Sequence, residues 1–223
     1  MDAIIFDFDG VIIDSEPAHM RCFQQVLSGL GVELSREDYY SHYLGYDDHD
    51  CFMHVLSDNG RPVTQSLLAE LTARKTSLVH REFEQSIRAL PGAVELLRAA
   101  RQADIPVAVC SGALLQEIEL AARTVGAADY LMTIVAAQDV ARGKPDPEGY
   151  RLALSRLTDL THRQLAPTRT WIVEDSPAGI AAGKAAGMKA LAVTTSYEAA
   201  SLSQADRIVR SLADVSLADF SGE

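Results

Sequence analysis

Cysteine is scarce in this chain. The three thiols, Cys22, Cys51 and Cys110, share no CxxC spacing, which excludes a disulfide framework and a paired-cysteine zinc site and suits a reducing, cytoplasmic setting. Long apolar runs are absent too, so no membrane-spanning segment is expected. The first residues enter an apolar segment without a basic region or a cleavable leader, so no targeting segment is expected either. Basic residues are in deficit: 20 Lys and Arg stand against 31 Asp and Glu, a net charge of −11. Such a field repels nucleic acid and anionic membrane, and neither is expected as a partner. Any anion site must therefore be locally basic or carry a metal's charge. There is no internal repeat and no low-complexity stretch. What remains is 223 residues, 48% hydrophobic and 23% charged, a globular composition long enough for one domain plus a smaller one. We expect a monomer or small homo-oligomer.

Periodicity divides the chain. Ala3 to Phe6 form a short, continuous apolar run of the kind buried in a parallel sheet. From about Ser15 to Gln85 the pattern is helical. Met20, Phe23, Val26, Leu27 and Leu30 make one stripe that stops at Gly31. Phe52, Val55 and Leu56 make a second before Asn59-Gly60. Leu67, Leu68, Leu71, Leu78, Val79 and Phe83 make a third, while Tyr39 to Leu44 is ambiguous. From Pro91-Gly92 onward helix and strand alternate. Strands are expected at Ile105–Cys110, Ile134–Ala136, Thr170–Val173 and Ala190–Thr194, with a short edge strand at Ile208-Val209. Helices are expected from Pro91-Gly92 through Ala100, over Leu115–Val125, Pro147–Leu157 and Ile180–Ala186, two of them stopped by Gly126 and Gly187. This alternation predicts an α/β fold, a Rossmann-like doubly wound parallel sheet. The fold is expected as a core of residues 1–14 and 89–223 with an inserted all-α cap of residues 15–88.

Chemistry-bearing residues fall at strand ends. Asp7 and Asp9 sit at alternate positions where the first strand ends, so both can face one pocket, and Gly10 lets the backbone turn. Ser111-Gly112 follows the second strand and Lys144 lies in Gly143-Lys-Pro-Asp-Pro147. Glu174-Asp175-Ser176 follows the strand Trp171–Val173. A parallel sheet gathers these groups at its carboxyl edge, where such sheets bind ligands. A hydroxyl, an ammonium and three or four carboxylates together suit a magnesium ion with a phosphate. Each piece has an ordinary reading: Ser111 as a turn or cap, Lys144 as a solvated charge, Glu174-Asp175 as an acidic helix start. Their order along the chain, one at each strand end, is what sets them apart.

Asp7-Phe-Asp9-Gly-Val-Ile-Ile-Asp-Ser-Glu16, Ser111-Gly112, Gly143-Lys144-Pro-Asp-Pro and Val173-Glu174-Asp175-Ser-Pro-Ala-Gly179-Ile together resemble the haloacid dehalogenase superfamily. The resemblance spans almost the whole chain. Its nearest look is that of members with a small helical cap, the phosphoglycolate phosphatase-like hydrolases and beta-phosphoglucomutase. It implies a magnesium-dependent phosphatase acting on a small phosphorylated metabolite, such as a sugar phosphate or phosphoglycolate, through an aspartyl-phosphate. Asp7 would be the nucleophile and Asp9 the general acid and base, with Ser111 and Lys144 binding the phosphoryl group. Phe8 and Gly112 would join in phosphate binding. Magnesium would be held by Asp7, the Asp9 backbone carbonyl and Asp175, with Glu174 as a direct or water-linked ligand. The second Asp of the pair argues for phosphoryl transfer, since dehalogenation needs no proton donor.

The insert resembles the family's lid. Lys75 and His19 match a lysine and a histidine of the mutase and its relatives, which implies substrate binding. The mutase holds a second phosphate with a cap-loop arginine; here Tyr43-Leu-Gly45-Tyr-Asp47-Asp48-His49 puts Asp48 at that position, or His49 after a register slip. Reversed charge predicts a hydrolase of monophosphates, and Asp48→Arg is then expected to improve affinity for bisphosphorylated sugars. A sugar-phosphate mutase, a non-catalytic phosphate-binding module and a DxD glycosyltransferase are the alternatives. The last leaves Lys144 and Ser111 without a role.

Overall fold

Six short strands and eight helices account for the regular structure of this computed structural model, which describes residues 1–44 and 46–220. Gly45, within the expected Tyr43–His49 segment, and the final three residues of the expected core lie outside the described residues. In chain order the elements begin with β1 (Ala3–Phe6), α1 (Glu16–Ser28) and α2 (Arg36–Asp38), a single turn that runs on into a π-helical turn at Tyr39–Tyr43. Then come α3 (Asp48–Asp58), α4 (Gln65–Ser86), α5 (Ala93–Gln102), β2 (Val107–Cys110) and α6 (Leu115–Thr124). The chain continues with β3 (Thr133–Val135), α7 (Glu148–Thr161), β4 (Thr170–Glu174), α8 (Pro177–Ala185), β5 (Lys189–Val193) and β6 (Arg207–Val209).

Contacts divide the chain into two units, Ser15–Ile87 and the remainder. The larger unit is built on one parallel sheet in the order β3-β2-β1-β4-β5-β6. The α/β fold class expected from the alternation is therefore observed. β1 is central, pairing Phe6 with Val109 on one side and with Val173 on the other. The chain order reverses across β1, the switch point where such sheets bind ligands. β1, β2 and β4 are buried along their whole length, which is why they read as continuous apolar runs. Burial of each isoleucine there is worth about 1.5–3 kcal/mol. α5 lays Ala93, Leu96, Leu97 and Ala100 inward, the i, i+3, i+4, i+7 spacing of one helix face. Where the chain leaves and re-enters this unit the two segments are tied: Leu90 N–H donates to Ile12 (2.9 Å) and Asp14 N–H to Arg88 (3.3 Å).

The smaller unit is all-helical. Phe23, Val26, Leu27, Cys51, Phe52, Val55, Leu56, Leu68 and Leu71 form its core, with Phe23 and Phe52 edge to face at 5.0 Å.

Boundaries shift where local bonding competes with periodicity. Ile105 was expected to open β2. Instead its N–H closes α5 on Ala100 (3.0 Å), with Asp104 left-handed at φ 55; the ladder starts after Pro106, which has no N–H to give. Ala136 falls outside β3 because its N–H donates to Asp139 (2.9 Å). α8 starts three residues early, because Ser176 caps Gly179 N–H (3.0 Å) and Pro177 fits the first turn. The ambiguous Tyr39–Tyr43 stretch is the π-helical turn.

Candidate active site

Register brings the strand ends together. Asp7 directly follows β1, and its N–H donates to Val173 of β4 (2.9 Å). Glu174 is the last residue of β4, with Asp175 next. Ser111 follows β2 on the other side of β1, its N–H bonded to Val135 (3.0 Å). Lys144 arrives from the loop between β3 and α7. That loop is held by the Glu148 carboxylate, which accepts from Ala141 N–H (2.9 Å) and Arg142 N–H (3.2 Å).

The result is a buried charge cluster. Lys144 Nζ lies 2.7 Å from Asp7 Oδ1 and 2.5 Å from Glu174 Oε1. Carboxylate oxygens of Asp7, Glu174 and Asp175 lie within 4.8 Å of one another. Three carboxylates face one ammonium, and the imbalance shows in their proton affinities. Burial, reinforced by Glu174 and Asp175 and opposed by Lys144, raises Asp7 well above the carboxylate range. Burial likewise raises Asp175 to about 7, against a hydrogen bond from Ser196. Lys144 goes up: burial would lower it, but Asp7 and Glu174 outweigh that. Glu174 goes down: burial would raise it, but Lys144 and its hydrogen bonds win. A divalent cation among these oxygens would relieve the excess, so the donor set fits one.

Glu174 is nonetheless fully occupied. Its Oε1 accepts from Lys144 and from the Tyr150 hydroxyl (2.7 Å). Its Oε2 accepts from Asp175 N–H (3.1 Å), Ser176 N–H (3.1 Å) and the Ser176 hydroxyl (2.9 Å). Two oxygens offer about four lone pairs, so a cation held directly by Glu174 would displace one of these donors. Asp7 and Asp175 are the carboxylates with oxygens to spare.

Asp9 lies just before the Gly10 turn, with Ser111 Oγ 3.4 Å from its Oδ2. Gly10 has φ 74, and a methyl group there would meet Asp175 Oδ2 at 1.9 Å, so this turn requires glycine twice over. Phe8 is 1% exposed and its carbonyl accepts from Ile12 and Ile13; the polar group left for a phosphate is its backbone N–H. Gly112 is exposed with open space around it.

The sequence pattern of the haloacid dehalogenase-like hydrolases matches residues 4–193. The chain belongs to this family. Validoxylamine A 7'-phosphate phosphatase of Streptomyces hygroscopicus subsp. limoneus is 31% identical, over 95% of this chain and 94% of its own. Hexitol phosphatase A of Escherichia coli is 29% identical, over 96% of this chain and 92% of its own. A variant of CbbY from Rhodobacter sphaeroides, in complex with xylulose-(1,5)bisphosphate, superposes with TM-score 0.84 at 27% identity and covers 99% of each chain. The present hydrolase is accordingly a phosphatase, a phosphoric monoester hydrolase.

The remaining expected site residues of this phosphatase, His19 and Lys75, lie in the all-helical unit. Lys75 is 1% exposed and interrupts the buried stripe Leu68, Leu71, Val79, Phe83 of α4. Its ammonium pairs with Asp48, donates to His19 Nδ1 (3.0 Å) and sits 4.1 Å from the Phe23 ring centre. The ammonium thus finds a counter-charge, an acceptor nitrogen and an aromatic face within the unit. His19 is pushed down to about 3, chiefly by burial and then by Lys75. Asp48 is therefore Lys75's counter-charge, a relation the sequence did not show.

Sequence reasoning also missed Tyr150, Ser196 and the reason for Gly179. Tyr150 carried a signal, a hydroxyl on the buried face Gly149, Ala153, Leu154, Leu157 of α7. Ser196 follows β5, at the same sheet edge as the other groups, and the strand-end rule could have found it. Gly179 is fixed by close approach: a methyl group there would fall 1.7 Å from Glu174 Oε1. Among the described residues no helix is long and apolar enough to cross a membrane.

Proposed function

We propose that this phosphatase is magnesium-dependent and hydrolyses a small sugar phosphate or similar phosphomonoester through an aspartyl-phosphate on Asp7. One observation carries the reading: the Asp7 carboxylate, at the switch point of the sheet, touches Lys144 and shares its space with Asp175. The sugar-phosphate class is supported by the relatives, named for validoxylamine A 7'-phosphate and for hexitols.

In this reading an Asp7 oxygen attacks phosphorus, the bond from phosphorus to the ester oxygen breaks, and the phosphoryl group passes to Asp7. Asp9 gives its proton to the departing alkoxide. Asp9 then takes a proton from the water that attacks the aspartyl-phosphate, which returns Asp7 as carboxylate and releases inorganic phosphate. Lys144 and the Ser111 hydroxyl hold the phosphoryl oxygens, with the Phe8 and Gly112 backbone N–H groups beside them. Asp7, Asp175 and the Asp9 carbonyl would hold magnesium, which when bound supplies positive charge to the transferring phosphoryl group. Glu174 holds Lys144 and the start of α8 in place and would join the metal directly or through a water. In this reading His19 and Lys75 of the helical unit contribute to binding the substrate's leaving group.

A screen of phosphomonoesters, with magnesium and with chelator, tests this. Release of inorganic phosphate from sugar or polyol monophosphates, without a bisphosphate activator, is expected. Interconversion of sugar 1- and 6-phosphates faster than phosphate release would replace the hydrolase with a mutase.

A further inference from the structure

We propose that Ser196 is a positioning residue for Asp175, fixing which carboxylate oxygen Asp175 turns toward the metal. The inference rests on reading Asp7 and Asp175 as magnesium ligands. β5 pairs with β4 so that Glu174 lies beside Ala192, and the chain then runs past the sheet edge into the exposed loop that carries Ser196. From there the Ser196 hydroxyl donates to Asp175 Oδ2. The Gly10 turn closes on the same oxygen: a methyl group on Gly10 would come within 1.9 Å of Asp175 Oδ2 and 2.9 Å of Ser196 Oγ. Three chain segments therefore meet on one carboxylate oxygen. The close contacts of Lys144 go instead to Asp7 and Glu174.

The last torsion of an aspartate is soft, with a broad, two-fold profile. A donor on one oxygen removes that freedom and leaves the other oxygen aimed. Groups that orient metal ligands typically change affinity 10- to 100-fold when removed. Ser196 is exposed, and water can partly replace its hydroxyl, so the lower end applies.

Magnesium titration of the whole protein by calorimetry, without substrate, tests the inference. Ser196→Ala should weaken magnesium binding about tenfold. Ser196→Thr, which keeps the hydroxyl, should stay within about threefold of wild type. The magnesium concentration for half-maximal phosphatase activity should rise in step with the calorimetric constant, and melting temperature without metal should stay unchanged. Wild-type affinity in Ser196→Ala would overturn the proposal. So would equal loss in Ser196→Thr and Ser196→Ala, since the hydroxyl would then not be what matters. Absence of magnesium binding in the wild type as well would overturn the metal site itself.

Discussion

Asp7 and Asp9 carry the same functional group in different surroundings. Asp7 is buried against Lys144, Glu174 and Asp175, while Asp9 is half-buried just before the Gly10 turn, near Ser111. The two asparagine variants should therefore fail differently. Asp7→Asn removes the nucleophile and should abolish turnover with little change in stability, measured by phosphate release and melting temperature. Asp9→Asn cannot pass protons and should stall after phosphoryl transfer when the leaving group needs no proton. Tyr150 supports the same cluster from below. Tyr150→Phe strips one donor from a fully buried carboxylate, and the unmet acceptor should cost about 1–3 kcal/mol in a denaturant titration. A loss near zero would mean that Glu174 finds another donor. Asp7, Asp9 and Asp175 stood out as candidates because strand ends are legible, a buried apolar run that stops on polar residues, while Lys144 stood out through its Gly143-Lys-Pro-Asp-Pro147 setting. Tyr150 was not, because its partner is 24 residues away in sequence and nothing local marks the contact.

At the scale of elements, α4 shows how a buried lysine is accommodated. The helix places Lys75 where its stripe calls for an apolar residue, and α1 and α3 supply His19 and Asp48 to receive it. Asp48→Asn leaves an ammonium buried without its counter-charge and should destabilise the helical unit by about 3 kcal/mol. The same pairing changes the outlook for Asp48→Arg. The sequence alone suggests a gain in bisphosphate affinity, but the guanidinium would sit against Lys75 and loss of stability should come first. Denaturant titration of both variants checks this. His19 adds a pH dependence. Its pKa falls from about 6.5 unfolded to about 3 folded. The unfolded state therefore binds the proton first on acidification, and stability present above pH 6.5 is lost as pH falls toward 3. Between pH 7 and 5 the wild type should lose about 1–2 kcal/mol more than His19→Gln, allowing for partial exposure. Parallel profiles would show that His19 is protonated in the native state. The helices were legible from their stripes. The strand ends were less so, because Ile105 and Ala136 give their N–H groups to local partners that periodicity does not register.

At the scale of the whole molecule, a chain of net charge −11 must draw a phosphate dianion into a cluster where three carboxylates oppose one lysine. On the proposed reading metal charge makes this feasible, so exhaustive chelation should abolish activity and magnesium should restore it. Calcium should fail or inhibit, because it prefers more ligands and looser geometry than two carboxylates and a carbonyl provide. Full activity after chelation would remove magnesium from the mechanism. The parallel, doubly wound sheet was legible from the alternation of strand and helix, whereas its strand order β3-β2-β1-β4-β5-β6 came from the structure. The central claim is that Asp7 becomes phosphorylated. The most direct test is mass spectrometry of Asp9→Asn, quenched in acid after incubation with magnesium and an aryl phosphate, whose leaving group departs without a proton. One phosphoryl group on the peptide carrying Asp7, absent when Asp7 is also changed to Asn, is the predicted result. A phosphoryl group on Ser111, or turnover at the wild-type rate by Asp7→Asn, would contradict it.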